Sequence, residues 1–101
     1  MSETKAAVPT VQAENDLTRV TEWRFAPGAT TGYHIHEHDY VIVPLDTGQL
    51  LVTGPDGETI DDMKAGASNC YEAGDEHDVK NINDHEVAFI EIEFKSTSIA
   101  K

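Results

Sequence analysis

Residues 28–48 read GATTGYHIHEHDYVIVPLDTG and place His34, His36 and His38, three of the chain's five histidines, at alternate positions. Behind them come the β-branched residues Val41, Ile42 and Val43, closed by Pro44. In an extended strand, residues i and i+2 project to one face about 7 Å apart along the backbone, so His34 and His36 can converge on one ion. Two imidazoles alone bind metal weakly. A usable site needs a further ligand from elsewhere in the chain, and His77 and His85 are the only other histidines.

Outward from this stretch the chain is built of short segments rich in Val, Ile, Thr, Phe and Tyr. They are divided by turn residues: Pro27-Gly28, Asp46-Thr47-Gly48, Pro55-Asp56-Gly57, Ala65-Gly66, Gly74-Asp75 and Asn83-Asp84. The spacing predicts strands over 17–25, 33–37, 40–45, 49–53, 58–63, 68–73, 78–82 and 86–94. The last segment, EVAFIEIEF, shows a clean period of two. Ala88, Ile90, Ile92 and Phe94 share one face, and Val87, Phe89, Glu91 and Glu93 share a partly polar second face. Pro44 cannot donate to a ladder and is expected at a strand end, an edge or a bulge. No window carries a sustained helical stripe. The expectation is an all-β fold, a small antiparallel barrel or sandwich. Residues 1–16 show neither period and are expected to form a flexible or loosely docked arm before one domain over 17–101.

With 101 residues the chain has the length of one small domain. Seven Lys and Arg against nineteen Asp and Glu leave a formal charge of -12, which repels nucleic acid and anionic membrane, so neither is expected as a partner. No stretch has the length and apolarity of a membrane span or the pattern of a signal peptide, so a cytoplasmic location is expected. The single Cys70 cannot form an internal disulfide and is expected to be a half-buried packing residue. A domain this small without a disulfide gains from association, and a homodimer is expected, paired through the strand Leu17 to Phe25, LTRVTEWRF.

Spacing around the histidines resembles two motifs of the cupin superfamily. The first motif reads Gly, five residues, His-x-His, three or four residues, Glu, six residues, Gly; here Gly28, His34, His36 and Gly48 match it. The second reads Gly, five residues, Pro-x-Gly, two residues, His, three residues, Asn. Here Gly66, Gly74, His77 and Asn81 match it, with Glu72 in place of proline. The stretch TGYHIHEHDYVIVPL looks like the short single-domain bacterial cupins, some of which carry a β-alanine degradation label. The resemblance implies a jelly-roll barrel holding one divalent metal ion, iron, zinc, nickel or manganese, through His34, His36 and His77. One departure stands out. The family's glutamate would fall on Tyr40 or Val41, so the shell is completed by Tyr40, by His38 or by water, as the similarity to acetylacetone-cleaving cupin dioxygenases suggests. Cupins turn hereabouts, which ranks Tyr40 above His38.

A metal held on one side by neutral imidazoles leaves positions open for a small-molecule substrate, water or dioxygen. The leading expectation is a small metal-dependent enzyme. With ferrous iron it would oxygenate a small bidentate compound such as a diketone or keto acid; with zinc, nickel or manganese a lyase or isomerase is equally allowed. The alternative is a non-catalytic cupin that binds a small ligand as a sensor or accessory protein. His85, between Asp84 and Glu86, is expected at the surface. Trp23, Phe25, Phe89 and Phe94 are core candidates. Glu72, Asp75, Glu76 and Asp78 form an acidic rim around His77, one of which could hold the second ring nitrogen of a ligand histidine.

Overall fold

The structure, a computed structural model, describes residues 5–95. Nine strands follow in order: β1 Val8–Glu14, β2 Thr18–Phe25, β3 His34–Ile35, β4 Asp39–Pro44, β5 Gly48–Gly54, β6 Gly57–Met63, β7 Asn69–Tyr71, β8 Glu76–Asn81 and β9 Val87–Phe94. There is no helix among the described residues. The strands form a five-stranded sheet, β1-β2-β9-β4-β7, and a four-stranded sheet, β3-β8-β5-β6, with every paired strand antiparallel. This is the expected all-β antiparallel barrel. Each of the eight segments expected from sequence overlaps one of the strands β2 to β9, and Pro44 closes β4 at its end.

Turn chemistry sets two of the hairpins. Between β1 and β2, Asn15 Oδ1 accepts hydrogen bonds from the backbone N–H groups of Leu17 and Thr18 and from Thr18 Oγ1, replacing ladder partners lost at the reversal. Between β5 and β6 the loop is only Pro55-Asp56, and Gly57 takes a φ of 119°, a region that a side chain would strain.

The segment 1–16, expected as an arm, is corrected over Val8–Glu14. These residues form β1, paired with β2 from Val8↔Arg24 to Glu14↔Arg19 around a bulge between Val11 and Ala13. All seven are exposed, so the segment carries no apolar alternation, and pairing with β2 alone makes it a strand. The boundary expected at residue 17 thus falls between two strands of one sheet. Residues 1–4 and 96–101, at the outer ends of the arm and domain, lie outside the described residues.

Register arranges the interior in layers. Along β2 and β9 the inward pairs are Phe25↔Val87, Trp23↔Phe89, Thr21↔Glu91 and Arg19↔Glu93. On the opposite sheet Leu50↔Asn81 and Val52↔Val79 continue the first layers, and His77 comes two residues before Val79 on the same face. The barrel therefore has an apolar end and a polar end. Phe25 and Val87 are fully buried at the first and pack with Ala29, Leu50 and Phe89, the Phe25 and Phe89 ring centroids being 5.4 Å apart. Each large side chain removed from water here contributes about 1.5–3 kcal/mol.

Three expectations are reversed by this register. Phe94, expected in the core, is 38% exposed, because on β9 the face it belongs to points outward while the face bearing Glu91 and Glu93 points inward. Cys70 is exposed on β7, which is an edge strand; Val41, its partner on β4, shares that outward face. Both edges of β2 are occupied, by β1 and β9, so that strand has no free edge for pairing with a second chain.

Candidate metal centre

His34 and His77 are register partners on β3 and β8, which places both rings on the inner face. β3 ends at Ile35, and the backbone of the next residue is clamped from both sides: Gly74 N–H donates to the His36 carbonyl at 2.8 Å, and His36 N–H donates to the Asp75 carbonyl at 2.8 Å. Gly74, the glycine of the second motif, adopts a φ of 97° to make this clamp, a conformation that any side chain would strain. The result is a cluster of three rings. Nε2 of His36 lies 3.0 Å from Nε2 of His34 and 3.2 Å from Nε2 of His77.

The tautomer follows from the partners. His34 Nδ1 sits 2.8 Å from the carbonyl of Gly32, which can only accept, so Nδ1 carries the proton and Nε2 presents a lone pair to its neighbours. Burial and the neighbouring histidines push the His36 imidazole down to about 4, and burial with His34 also lowers His77. Both are thus neutral at pH 7. Ligands held at a metal–nitrogen bond of about 2.0–2.1 Å lie about 2.9–3.4 Å from one another, for bond angles between square and tetrahedral. The observed separations fall in that interval, and His34, His36 and His77 are grouped so that one ligand atom from each lies within 4.8 Å of the others. The three residues fit a metal ion.

Tyr40 is buried on β4, with its ring stacked on His36 at 3.9 Å between centroids and 17° between planes. Its hydroxyl donates to Asp75 Oδ2 at 3.3 Å. Burial and the Asp75 carboxylate raise the phenol well above its ordinary value. His38 is not brought to the cluster. The chain bends at Glu37 and His38, which breaks the alternation begun at His34, and His38 lines a neighbouring depression with Arg19, Glu37 and Glu93 that His34 and His36 also border. His85 is exposed beside Asp84, as its surroundings in the sequence suggested.

Sequence reasoning left out Glu91. Its carboxylate is 8% exposed, accepts a hydrogen bond from Trp23 Nε1 at 3.2 Å through Oε1, and brings Oε2 to 3.8 Å from His36 Nδ1. Burial raises its pKa, partly offset by the Trp23 bond. Its signal was present in the pattern: a carboxylate on the same face of β9 as Val87 and Phe89. The histidines open onto a cavity of about 460 Å³ between the sheets, with Ile42, Leu50, Val52 and Phe89 on its apolar walls. Tyr71 also faces it, stacked on Tyr40 with centroids 5.2 Å apart.

Residues 21–93 match the Cupin domain family. The chain is 53% identical over 95 residues to a curated protein of Pseudomonas aeruginosa, the beta-alanine degradation protein BauB, spanning 94% of this chain and 100% of the relative. Among solved structures it is similar to a cupin domain from Bordetella pertussis Tohama I, with a TM-score of 0.92 and 45% identity over 94% of this chain and 99% of that one. It also shares its fold with a double-stranded beta-helix protein of Klebsiella pneumoniae, at a TM-score of 0.76 and 18% identity over 98% and 85% of the two chains. With both motifs in place, the barrel built and the histidines gathered at one end, the chain belongs to the cupin family.

Proposed function

We propose that this cupin holds one divalent ion, iron, zinc, nickel or manganese, through His34, His36 and His77 and acts on a small oxygen-bearing metabolite in the adjoining cavity. The convergence of three Nε2 atoms carries the reading. Such an ion, when bound, supplies Lewis-acid chemistry or, as ferrous iron, dioxygen chemistry. The chain's own residues supply the rest. Gly32 orients His34, the Gly74-Asp75 backbone and the Tyr40 ring hold His36, and the apolar walls exclude water from the bound compound. Tyr40 stands beside the site with its hydroxyl on Asp75, in the position left by the family's glutamate. The likeness to the beta-alanine degradation protein supports a role in the breakdown of β-alanine, and a cytoplasmic setting is part of the same proposal.

Elemental analysis of protein purified without a histidine tag tests the metal, with one ion per chain expected. Protein that stays metal-free after incubation with each of the four ions overturns it. Oxygen uptake by the ferrous form with a matching compound, or turnover without oxygen by the zinc, nickel or manganese form, marks an enzyme; saturable binding without turnover marks a sensor.

The proposal includes a homodimer. Because β2 is enclosed within its sheet, the surface offered is the outer face of the five-stranded sheet, where Val20, Val41, Val43, Ile90 and Ile92 are only partly buried beside Phe94. An apolar face of this kind gains from being covered. Light scattering at micromolar concentration should give twice the chain mass, and a monomer mass rejects this part.

A further inference from the structure

The charged groups lining the cavity are strongly one-sided. Lys64 is the only Lys or Arg among its described lining residues, and it is exposed. Five carboxylates line the same space: Asp61, Asp62, Asp75, Glu76 and Glu91. Two of them are engaged elsewhere, since Asp62 accepts from Gln49 Nε2 at 2.8 Å and Glu76 accepts from the Tyr33 hydroxyl at 2.8 Å. The other three face inward. Asp61 is the register partner of buried Leu50 and shares its face. Asp75 holds the Tyr40 hydroxyl. Glu91 gives Oε1 to Trp23 Nε1 at 3.2 Å and brings Oε2 to 3.8 Å from His36 Nδ1.

These carboxylates stand next to aromatic rings in a continuous stack. His36, Tyr40 and Tyr71 follow one another with centroid separations of 3.9 and 5.2 Å, and Asp61 and Asp75 are both near enough to Tyr71 to raise its phenol, after burial, above its ordinary value. Tyr40 is covered on both faces, so it is the Tyr71 ring at the end of the stack, together with the carboxylates, that attracts an ammonium group, and the carboxylates repel a carboxylate or phosphate. Anionic ends of a ligand have the metal to meet, with Lys64 the one cationic side chain among the described lining residues and exposed.

We propose that Tyr71, Asp61 and Asp75 form a cation subsite beside the metal centre, so that the ligand is a small molecule with an oxygen donor at one end and an ammonium group at the other. This rests on the metal reading for the oxygen end only. It adds a direction to the proposed role: the compound is taken with its amine still attached, and deamination is the work of a reaction class that acts afterwards on the product.

Calorimetry with a three-carbon series on the zinc-loaded protein tests it: β-alanine, propanoate and malonate, alongside 1-aminopropane and 1-propanol on the metal-free protein. The expected order is β-alanine, then propanoate, then malonate, with 1-aminopropane binding in preference to 1-propanol. Replacement of a partly desolvated charge should then show clearly. In Asp61→Asn and Asp75→Asn, checked for native circular dichroism, β-alanine should weaken at least about tenfold while propanoate holds or improves. If Asp75→Asn does not fold because the Tyr40 contact is lost, Asp61→Asn decides alone. Propanoate or malonate binding as tightly as β-alanine, a preference that survives the substitutions, or no binding by any amine overturns the subsite. Amine preference in a protein that takes up no metal would instead leave the subsite standing and remove the metal reading.

Discussion

The two ends of the barrel both bury polar side chains, and they treat them in opposite ways. At the apolar end, Asn81 is completely buried and uses its whole amide: Nδ2 donates to the carbonyls of Phe25 and His85, and Oδ1 accepts from the backbone and side-chain N–H groups of Asn83. At the histidine end, three Nε2 atoms face one another, two of them on rings whose burial favours the neutral form. Satisfied polarity of the first kind ties three segments of chain together. Unsatisfied polarity of the second kind costs stability unless something outside the chain completes it. The comparison separates two residues of one motif, Asn81 as a structural clamp and His77 as a group waiting for a ligand.

The sharpest way to break this contrast is His77→Ala. Metal affinity, measured by competition with a chromophoric chelator, should fall by more than about a hundredfold, while the thermal midpoint of the metal-free protein moves little. Stoichiometric metal in that variant would end the assignment. Asn81→Ala should do the reverse. Loss of its hydrogen bonds leaves buried carbonyls unpaired and should lower stability by about 3 kcal/mol, seen as a fall of about 15 °C in the thermal midpoint, with metal affinity of the folded protein retained.

Acid should sharpen the difference further. The folded His36 value of about 4 lies below the ordinary 6.5, so the unfolded chain takes up this proton first as pH falls. The metal-free protein should therefore hold this contribution above about pH 6.5 and lose it progressively toward about pH 4. The raised Glu91 carboxyl acts in the opposite sense, so the readout is the difference between wild type and His36→Asn in denaturant titrations across that range. Parallel curves for the two proteins would show that His36 titrates as it does in water.

Tyr40→Phe keeps the stacked ring and removes only the bond to Asp75. Stability should change by less than about 1 kcal/mol and metal content should stay at one per chain. A visible band in the Fe(III) protein that vanishes in this variant would instead make the phenol a ligand. His85→Ala should have the smallest effect, within about 0.5 kcal/mol and with full metal occupancy, because its ring is exposed and only its backbone carbonyl serves Asn81. Loss of metal there would mean that the wrong histidine had been paired with His34 and His36.

Strands β2 to β9 were legible because each carries β-branched or aromatic residues between turn-forming Gly, Pro, Asn or Asp. β1 was not, because its residues are all exposed and its order comes from the β2 ladder, a long-range partner that no local pattern reports. Period two in β9 told which side chains travel together but not which set goes inside. The cavity end decides that, since Glu93 pairs with Arg19 there and Glu91 with Trp23. The three histidines could be read from motif spacing. Asp61, Tyr71 and Glu91 could not be placed at the site from sequence, because each belongs to a different strand and only the closure of the two sheets brings them to one cavity.

β9, the last described strand, lies at the middle of its sheet between β2 and β4. On a translating ribosome those two strands emerge long before the segment that joins them, with their apolar inner faces uncovered and their edges open. The sheet can close only when residues 87–94 are free of the exit tunnel, so the decisive step of folding waits on this strand and its long-range pairing makes that step slow. A ribosome stalled before Val87 would display a chain that has its histidines and both motifs yet no barrel to hold them, and chaperones would be its natural custodians.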